Sequence, residues 1–230
     1  MRPLYYVLAA ALAASACSSS SESNVVPTPT TPSGGPISPN GLTVVVDSGF
    51  SDRTAVVATT VPARVHVTLN GRPAPNVTVA WAVAAGGGSV SPSATITDAN
   101  GAASVTWTIG DTVRINTLSA SSSGSSASMQ VQSLPDAAVS LAKASPDSSA
   151  VVAGASVMLT VLVVDKFGNS VAGTPVSWTT SDGTLTITDT PTGPSGRAQV
   201  VLSTAATPAA YTVTATSGAL GSASFKVVGF

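Results

Sequence analysis

Asn76-Val77-Thr78-Val79-Ala80-Trp81 is met a second time as Gly173-Thr174-Pro175-Val176-Ser177-Trp178. Successive side chains of a strand point to opposite faces, so Val77, Val79, Trp81 and Val83 share one face of the first run and its small or polar residues take the other. Further correspondences lie on either side. Asn100-Gly101-Ala102-Ala103-Ser104-Val105 matches Ser195-Gly196-Arg197-Ala198-Gln199-Val200, Leu118-Ser119-Ala120 matches Val213-Thr214-Ala215, and Ala127-Ser128-Met129-Gln130-Val131 matches Ala223-Ser224-Phe225-Lys226-Val227. All four pairs lie about 95 residues apart. That period is too long for a solenoid unit and suits tandem sandwich domains of ~100 residues each.

The same alternation recurs along each copy. In Arg64-Val65-His66-Val67-Thr68-Leu69 the apolar side chains share one face; Ala198-Val200-Leu202, Tyr211-Val213-Ala215 and Ala223-Phe225-Val227 repeat the pattern. Turns are marked by Asn70-Gly71, Asp98-Ala99-Asn100-Gly101, Phe167-Gly168-Asn169 and Pro194-Ser195-Gly196, where glycine or asparagine takes positive φ. The run Val157 to Val164 reads as a buried strand. Val, Thr, Ser, Ala and Gly dominate while Glu, Lys, Gln and Leu are scarce, a balance that favours strands over helices. The expected fold is therefore all-β: two tandem immunoglobulin-like β-sandwiches of about seven strands each, over residues 42–134 and 137–230. Their joint falls at Leu134-Pro135-Asp136, short enough to couple them closely. A single cysteine, Cys17, allows no intersheet disulfide, so burial of Trp81 and Trp178 must take that role.

Before the repeats, the chain opens with export features. Arg2 supplies a positive n-region, Leu4 to Ala14 an apolar stretch too short to span a bilayer, and Ala14-Ser15-Ala16 small residues at a cleavage point, giving a signal peptide over 1–16. Residues 17–41, rich in Ser, Pro and Thr, offer little apolar surface to offset ordering and read as a disordered tether. Such a coil spans on the order of 27 Å r.m.s., rising toward ~75 Å extended.

Ala14-Ser15-Ala16-Cys17 resembles the bacterial lipobox, which implies lipid attachment at Cys17 and anchoring to the bacterial outer membrane or cell surface. Ala14 departs from the usual leucine and also fits ordinary secretion, so both routes stay open. A thioether at Cys17 removes an unpaired thiol from an oxidising compartment, and two or more acyl chains suffice for stable attachment.

Asp165-Lys166-Phe167-Gly168-Asn169-Ser170-Val171-Ala172-Gly173-Thr174-Pro175-Val176, with Gly196-Arg197-Ala198 and Ala210-Tyr211-Thr212-Val213-Thr214-Ala215, resembles the group 1 bacterial Ig-like domain of invasin- and intimin-type adhesins. The likeness covers most of 137–230. Over 42–134 it is weaker: Thr97-Asp98-Ala99-Asn100-Gly101 matches, but no Asp precedes Asn70 and Asn116 stands in place of the tyrosine. The resemblance implies an extracytoplasmic stalk or adhesive module and transfers no ligand.

Composition and motifs narrow the function. Without Arg2, eight of the nine basic residues remain against ten acidic ones, scattered singly, so no basic stripe exists for nucleic acid. Asp98-Ala99-Asn100-Gly101 opens like a calcium loop but lacks the later bidentate Glu, which favours a plain turn. Asp136 and Asp147, taken to lie near the joint, are too few for calcium. His66, the sole histidine, has no second zinc ligand nearby, and no G-x-S-x-G elbow accompanies it. No catalytic residue, metal site or cofactor is expected, and the chain reads as not an enzyme. Trp81, Trp107, Trp178, Tyr211 and Phe225 share parity with apolar neighbours and are expected in the core; Phe50, Phe167 and Phe230 remain as exposed platforms. Two functions stand: an adhesive or structural protein whose Ig-like domains engage another surface protein, or a polysaccharide-binding module. Because the second repeat runs to Phe230, a pure spacer is disfavoured.

Overall fold

A computed structural model describes residues 41–50 and 53–230. The signal peptide, Cys17 and all of the tether but Gly41 lie outside the described residues. The described residues are mostly strand joined by turns and loops, with two single 3-10 turns at Ser48–Phe50 and Gly218–Leu220. Among the described residues no helix is long and apolar enough to cross a membrane.

The first sandwich contains β1 (Leu42–Val46), β2 (Arg53–Val56), β3 (Thr60–Leu69), β4 (Arg72–Pro73), β5 (Thr78–Ala85), β6 (Gly88–Ser91), β7 (Ala94–Ile96), β8 (Ala102–Ile109), β9 (Ile115–Ser122) and β10 (Ser125–Leu134). The second contains β11 (Ala138–Lys143), β12 (Ser148–Val151), β13 (Ser156–Asp165), β14 (Pro175–Thr180), β15 (Thr184–Leu185), β16 (Asp189–Pro191), β17 (Arg197–Ser203), β18 (Ala209–Thr216) and β19 (Ser222–Gly229). Strand order in the first pair of sheets is β1-β3-β8-β6, with β4 on β3, and β2-β10-β9-β5-β7. In the second pair it is β11-β13-β17-β15 and β12-β19-β18-β14-β16. Apart from β4, the two topologies coincide strand for strand.

Strands outnumber the seven expected per copy for two reasons. The opening strand of each copy breaks and changes sheets: β1 lies antiparallel to β3 while β2 lies parallel to β10, and β11 and β12 do the same with β13 and β19. The segment between the third and the last three long strands is also cut short, giving β6 and β7 in one copy and β15 and β16 in the other.

Alternation decides what is buried. In β3, Val61, Ala63, Val65 and Val67 are buried while Thr60, Pro62 and Arg64 are exposed. The first core gathers side chains from both of its sheets, including Val44, Val65, Val79, Trp81, Trp107, Leu118 and Met129. The second is built from different residues, including Leu159, Trp178, Leu202, Tyr211, Val213 and Phe225. Burying a side chain of this size stabilises by roughly 1.5–3 kcal/mol. Trp178 and Phe225 stack with centroids 6.4 Å apart in the second core. One residue breaks the expected parity: Leu69 is 45% exposed because β3 turns into the β4 arm there. Met158 keeps parity and projects outward, opposite the face that holds Leu159, Val161 and Val163, so the run Val157 to Val164 is buried on that face and not throughout.

The repeat extends to individual hydrogen bonds. Thr97 is buried in the first sandwich; its Oγ1 donates to the Ala74 carbonyl at 2.7 Å and accepts from Val77 N at 2.9 Å. In the second, Thr192 Oγ1 donates to Val171 O at 2.7 Å and accepts from Thr174 N at 2.9 Å. Each threonine pins the loop that leaves the third strand to the strand opposite. Gly101 and Gly196, with φ of 73° and 69°, present their carbonyls to Val67 N and Val163 N, and a Cβ at either would collide with the backbone of that same residue.

Candidate functional site

The two sandwiches belong to one compact unit, and the loop after β13 joins them. Asp165 ends β13 with its carboxylate buried. Its Oδ1 accepts from Phe167 N at 2.8 Å and Asn169 N at 2.9 Å; its Oδ2 accepts from Asp136 N and Asn169 Nδ2, both at 2.9 Å. Burial pushes this carboxyl's pKa up, but donors from Asn169, Asp136 and Phe167 outweigh it and hold the group below its ordinary value. Gly168, with φ of 86°, lets the loop double back so that Asn169 returns beside Asp165.

Asn169, thus fixed, reaches the other sandwich. Its Oδ1 accepts from Val113 N at 2.9 Å and its Nδ2 donates to Asp111 O at 2.8 Å, both in the loop between β8 and β9. Lys166 adds an ion pair with Asp136 at 2.9 Å on the linking segment. The Lys166 hydrogen bond and the Ala137 N–H hold the Asp136 carboxyl below its ordinary range. Every polar atom in the cluster has a donor or acceptor of opposite kind. The arrangement is a satisfied clasp, not a cation site.

Asp147 lies elsewhere, between β11 and β12, ion-paired with Lys143. It and Asp136 are not brought together at the joint, which corrects their expected neighbourhood. Among the described residues no group of three His, Cys, Asp or Glu side chains is placed to hold a metal. Asp98 closes a turn: its Oδ1 accepts from Asn100 N at 2.8 Å and Ala102 N at 2.9 Å, and these N–H groups, Ala102 foremost, lower its pKa. His66 sits half-exposed with Asp47 3.9 Å away, and Arg64 lies at the same distance from that carboxylate.

Trp81, Trp107, Trp178, Tyr211 and Phe225 are all buried in the cores. Phe167 and Phe230 are exposed, at 40% and 65%. Phe50 is not: the 3-10 turn folds it into the first core, only 7% exposed, with the Arg53 guanidinium 5.1 Å over its ring. It is withdrawn as a platform.

An exposed apolar row lies on the outer face of the second sandwich. Val228 pairs in register with Ala150 on one side and Ala210 on the other, and all three face solvent. The row continues toward Val152 and Phe230, exposed at 62% and 65%, with Phe230 hydrogen-bonded to Val151 O and Ala153 N. Sequence reading missed this row and the Asn169 bridge. The bridge was beyond reach because Asp111 and Val113 become its partners only once the sandwiches meet.

These features define a tandem of two Ig-like β-sandwiches. Residues 140–228 match the model of the bacterial Ig-like domain (group 1). No curated protein matches the sequence. Among solved structures the chain is similar to FdeC, an adhesin of Escherichia coli, at 19% identity and TM-score 0.60, over 86% of this chain and 65% of that one. It is also similar to InvD of Yersinia pseudotuberculosis (18% identity, 82% of this chain and 57% of that one, TM-score 0.49) and to the D0-D1 domain of intimin (22% identity, 81% and 97%, TM-score 0.34). At these identities the likeness bears on fold alone, and the FdeC superposition carries it.

Proposed function

We propose that the chain is a lipid-anchored extracytoplasmic protein of structural or adhesive type, without catalytic activity, that binds another surface protein through its Ig-like pair. The observation that carries this reading is the group 1 Ig-like domain over 140–228 with an uncharged apolar row exposed on its outer sheet face. Contiguous exposed apolar surface is characteristic of protein contact sites. The similarity to an adhesin supports the extracytoplasmic setting, and the lipobox-like Ala14-Ser15-Ala16-Cys17 supports the anchor at the bacterial outer membrane or cell surface. With Trp81, Trp107, Trp178, Tyr211, Phe225 and Phe50 buried, Phe167 and Phe230 are the exposed aromatic rings left among the described residues for a polysaccharide reading, which favours the protein partner.

Photo-crosslinking from position 228 on whole cells tests it. The expected result is one defined protein adduct, lost in Ala210→Glu in the neighbouring strand of the same row, with a glycan array left blank. Glycan binding, or adducts indifferent to that substitution, would count against it. Intact mass of the mature protein checks the anchor separately, with diacylglycerol on Cys17 expected.

A further inference from the structure

We propose that the Asp165–Asn169 loop is a latch that sets the angle between the sandwiches, with residues 135–137 as the hinge it restrains. Between β10 and β11 the covalent connection is only Pro135, Asp136 and Ala137. Domains joined by such a linker swing unless their interface resists it. Here the resistance is directional. Asn169 offers a fixed acceptor and a fixed donor to Val113 N and Asp111 O, which are two residues apart on one loop, so both bonds form at a single relative orientation. Asn169 cannot turn away, because its Nδ2 and its own N are both held by the buried Asp165 carboxylate. The linker is tied to the same carboxylate through Asp136 N at 2.9 Å. Asp165 is thus a positioning residue for both the latch and the hinge.

The fold contains a natural comparison for the receiving side. At the 95-residue offset, Gly110 corresponds to Ala205, Asp111 to Ala206 and Val113 to Pro208. The loops correspond in hydrogen bonding as well: Gly110 N donates to Asn116 Oδ1 and Ala205 N donates to the Tyr211 hydroxyl. Proline has no N–H. The second sandwich therefore lacks the donor that Asn169 grips in the first. A latch of this kind operates once in the described chain, between these two sandwiches.

The test is the distribution of distances between spin labels at Ser104→Cys and Ser224→Cys, two exposed positions on different sandwiches, in the full chain carrying Cys17→Ser. The parent gives a narrow distribution. Asn169→Ala widens it about twofold, and Val113→Pro, which copies the second sandwich, widens it equally. The double variant is no wider than either single one, because both remove one interaction. Asn100→Ala, in an exposed turn far from the joint, leaves it narrow. A narrow distribution in both single variants, with each sandwich still folded by its amide fingerprint, would overturn the proposal. So would a parent distribution already broad, or independent widening in the double variant.

Discussion

The loop after the third strand is built in two ways, and the contrast separates what the repeat shares from what it does not. In the first sandwich β3 reverses at Asn70-Gly71, with φ of 51° and 79°, into the short β4 arm, and Leu69 is left exposed. In the second, Asp165 follows β13, gathers its own loop and sends Asn169 across the joint. Beneath both loops the threonine pins, the glycine turns and the strand order are the same. The frame is common property of the repeat, whereas coupling to a neighbour is written in five residues of one loop.

A second contrast shows how the frame survives substitution. Tyr211 Oη accepts from Ala205 N at 2.8 Å, resembling the tyrosine corner of Ig-like sandwiches. Asn116 stands at the equivalent place, and its Oδ1 accepts from Gly110 N at 3.2 Å while its Nδ2 donates to Arg114 O. The difference between the two copies keeps the bond and changes only the group that makes it. A third pair differs more. Trp81 Nε1 donates to Thr95 Oγ1 at 2.8 Å, but Trp178 Nε1 and Thr190 Oγ1, at the corresponding places, are both buried without a partner.

These contrasts can be broken or sharpened by substitution. The largest expected effect is Trp178→Ala, which opens a cavity in the second core and destabilises by about 3–5 kcal/mol in denaturant unfolding. Trp81→Ala in the first core should match it; a cost near zero in either would show that the two cores are not equivalent. Next come Thr97→Val and Thr192→Val. Each strips a buried hydroxyl that serves two backbone groups, and each is expected to cost about 1–3 kcal/mol. Equal costs support a shared pin, and a large difference breaks the comparison. Tyr211→Phe leaves Ala205 N without its acceptor and is expected to cost roughly 1–2 kcal/mol, with faster amide exchange at that N–H. Thr95→Val is expected to cost about 1 kcal/mol by orphaning the Trp81 indole, whereas Thr190→Val changes stability by about zero.

Acid supplies the smallest contrast. Asp165 and Asp136 have pKa values lowered in the folded protein by the hydrogen bonds of the joint. A depressed carboxylate contributes stability above its unfolded value near pH 4, and that contribution disappears as pH falls through the lower folded value. The second sandwich and its joint are therefore expected to weaken below about pH 4, and Asp165→Asn to flatten that dependence in pH-resolved thermal unfolding.

Much of this molecule is legible in sequence because strand parity is a local rule. Val65, Val67, Val79, Trp81, Ala198, Val200 and Tyr211 all fall on the buried face that alternation gives them. The rule fails where the chain leaves the strand. Phe50 lies in a 3-10 turn, so no alternation marks it, yet the turn carries it into the core. Leu69 keeps the parity of a buried residue but stands where β3 gives way to its hairpin. The strand breaks after β1 and β11 depend on which sheet edge is free, a property of the assembled sandwich. Thr97 and Thr192 carry a signal at the 95-residue offset that aligning the two copies would expose. Asn169 carries none, because its partners lie 56 and 58 residues away in the other sandwich.

Amide hydrogen exchange at Val113 tests the central claim most directly. Val113 lies in an exposed loop between strands, where its N–H would ordinarily exchange with solvent freely. If Asn169 grips it, that N–H is protected well beyond its loop neighbour Thr112, and the protection is lost in Asn169→Ala while the β8 and β9 amides keep theirs. Exchange at Val113 as fast as at Thr112 in the unaltered chain would contradict the account.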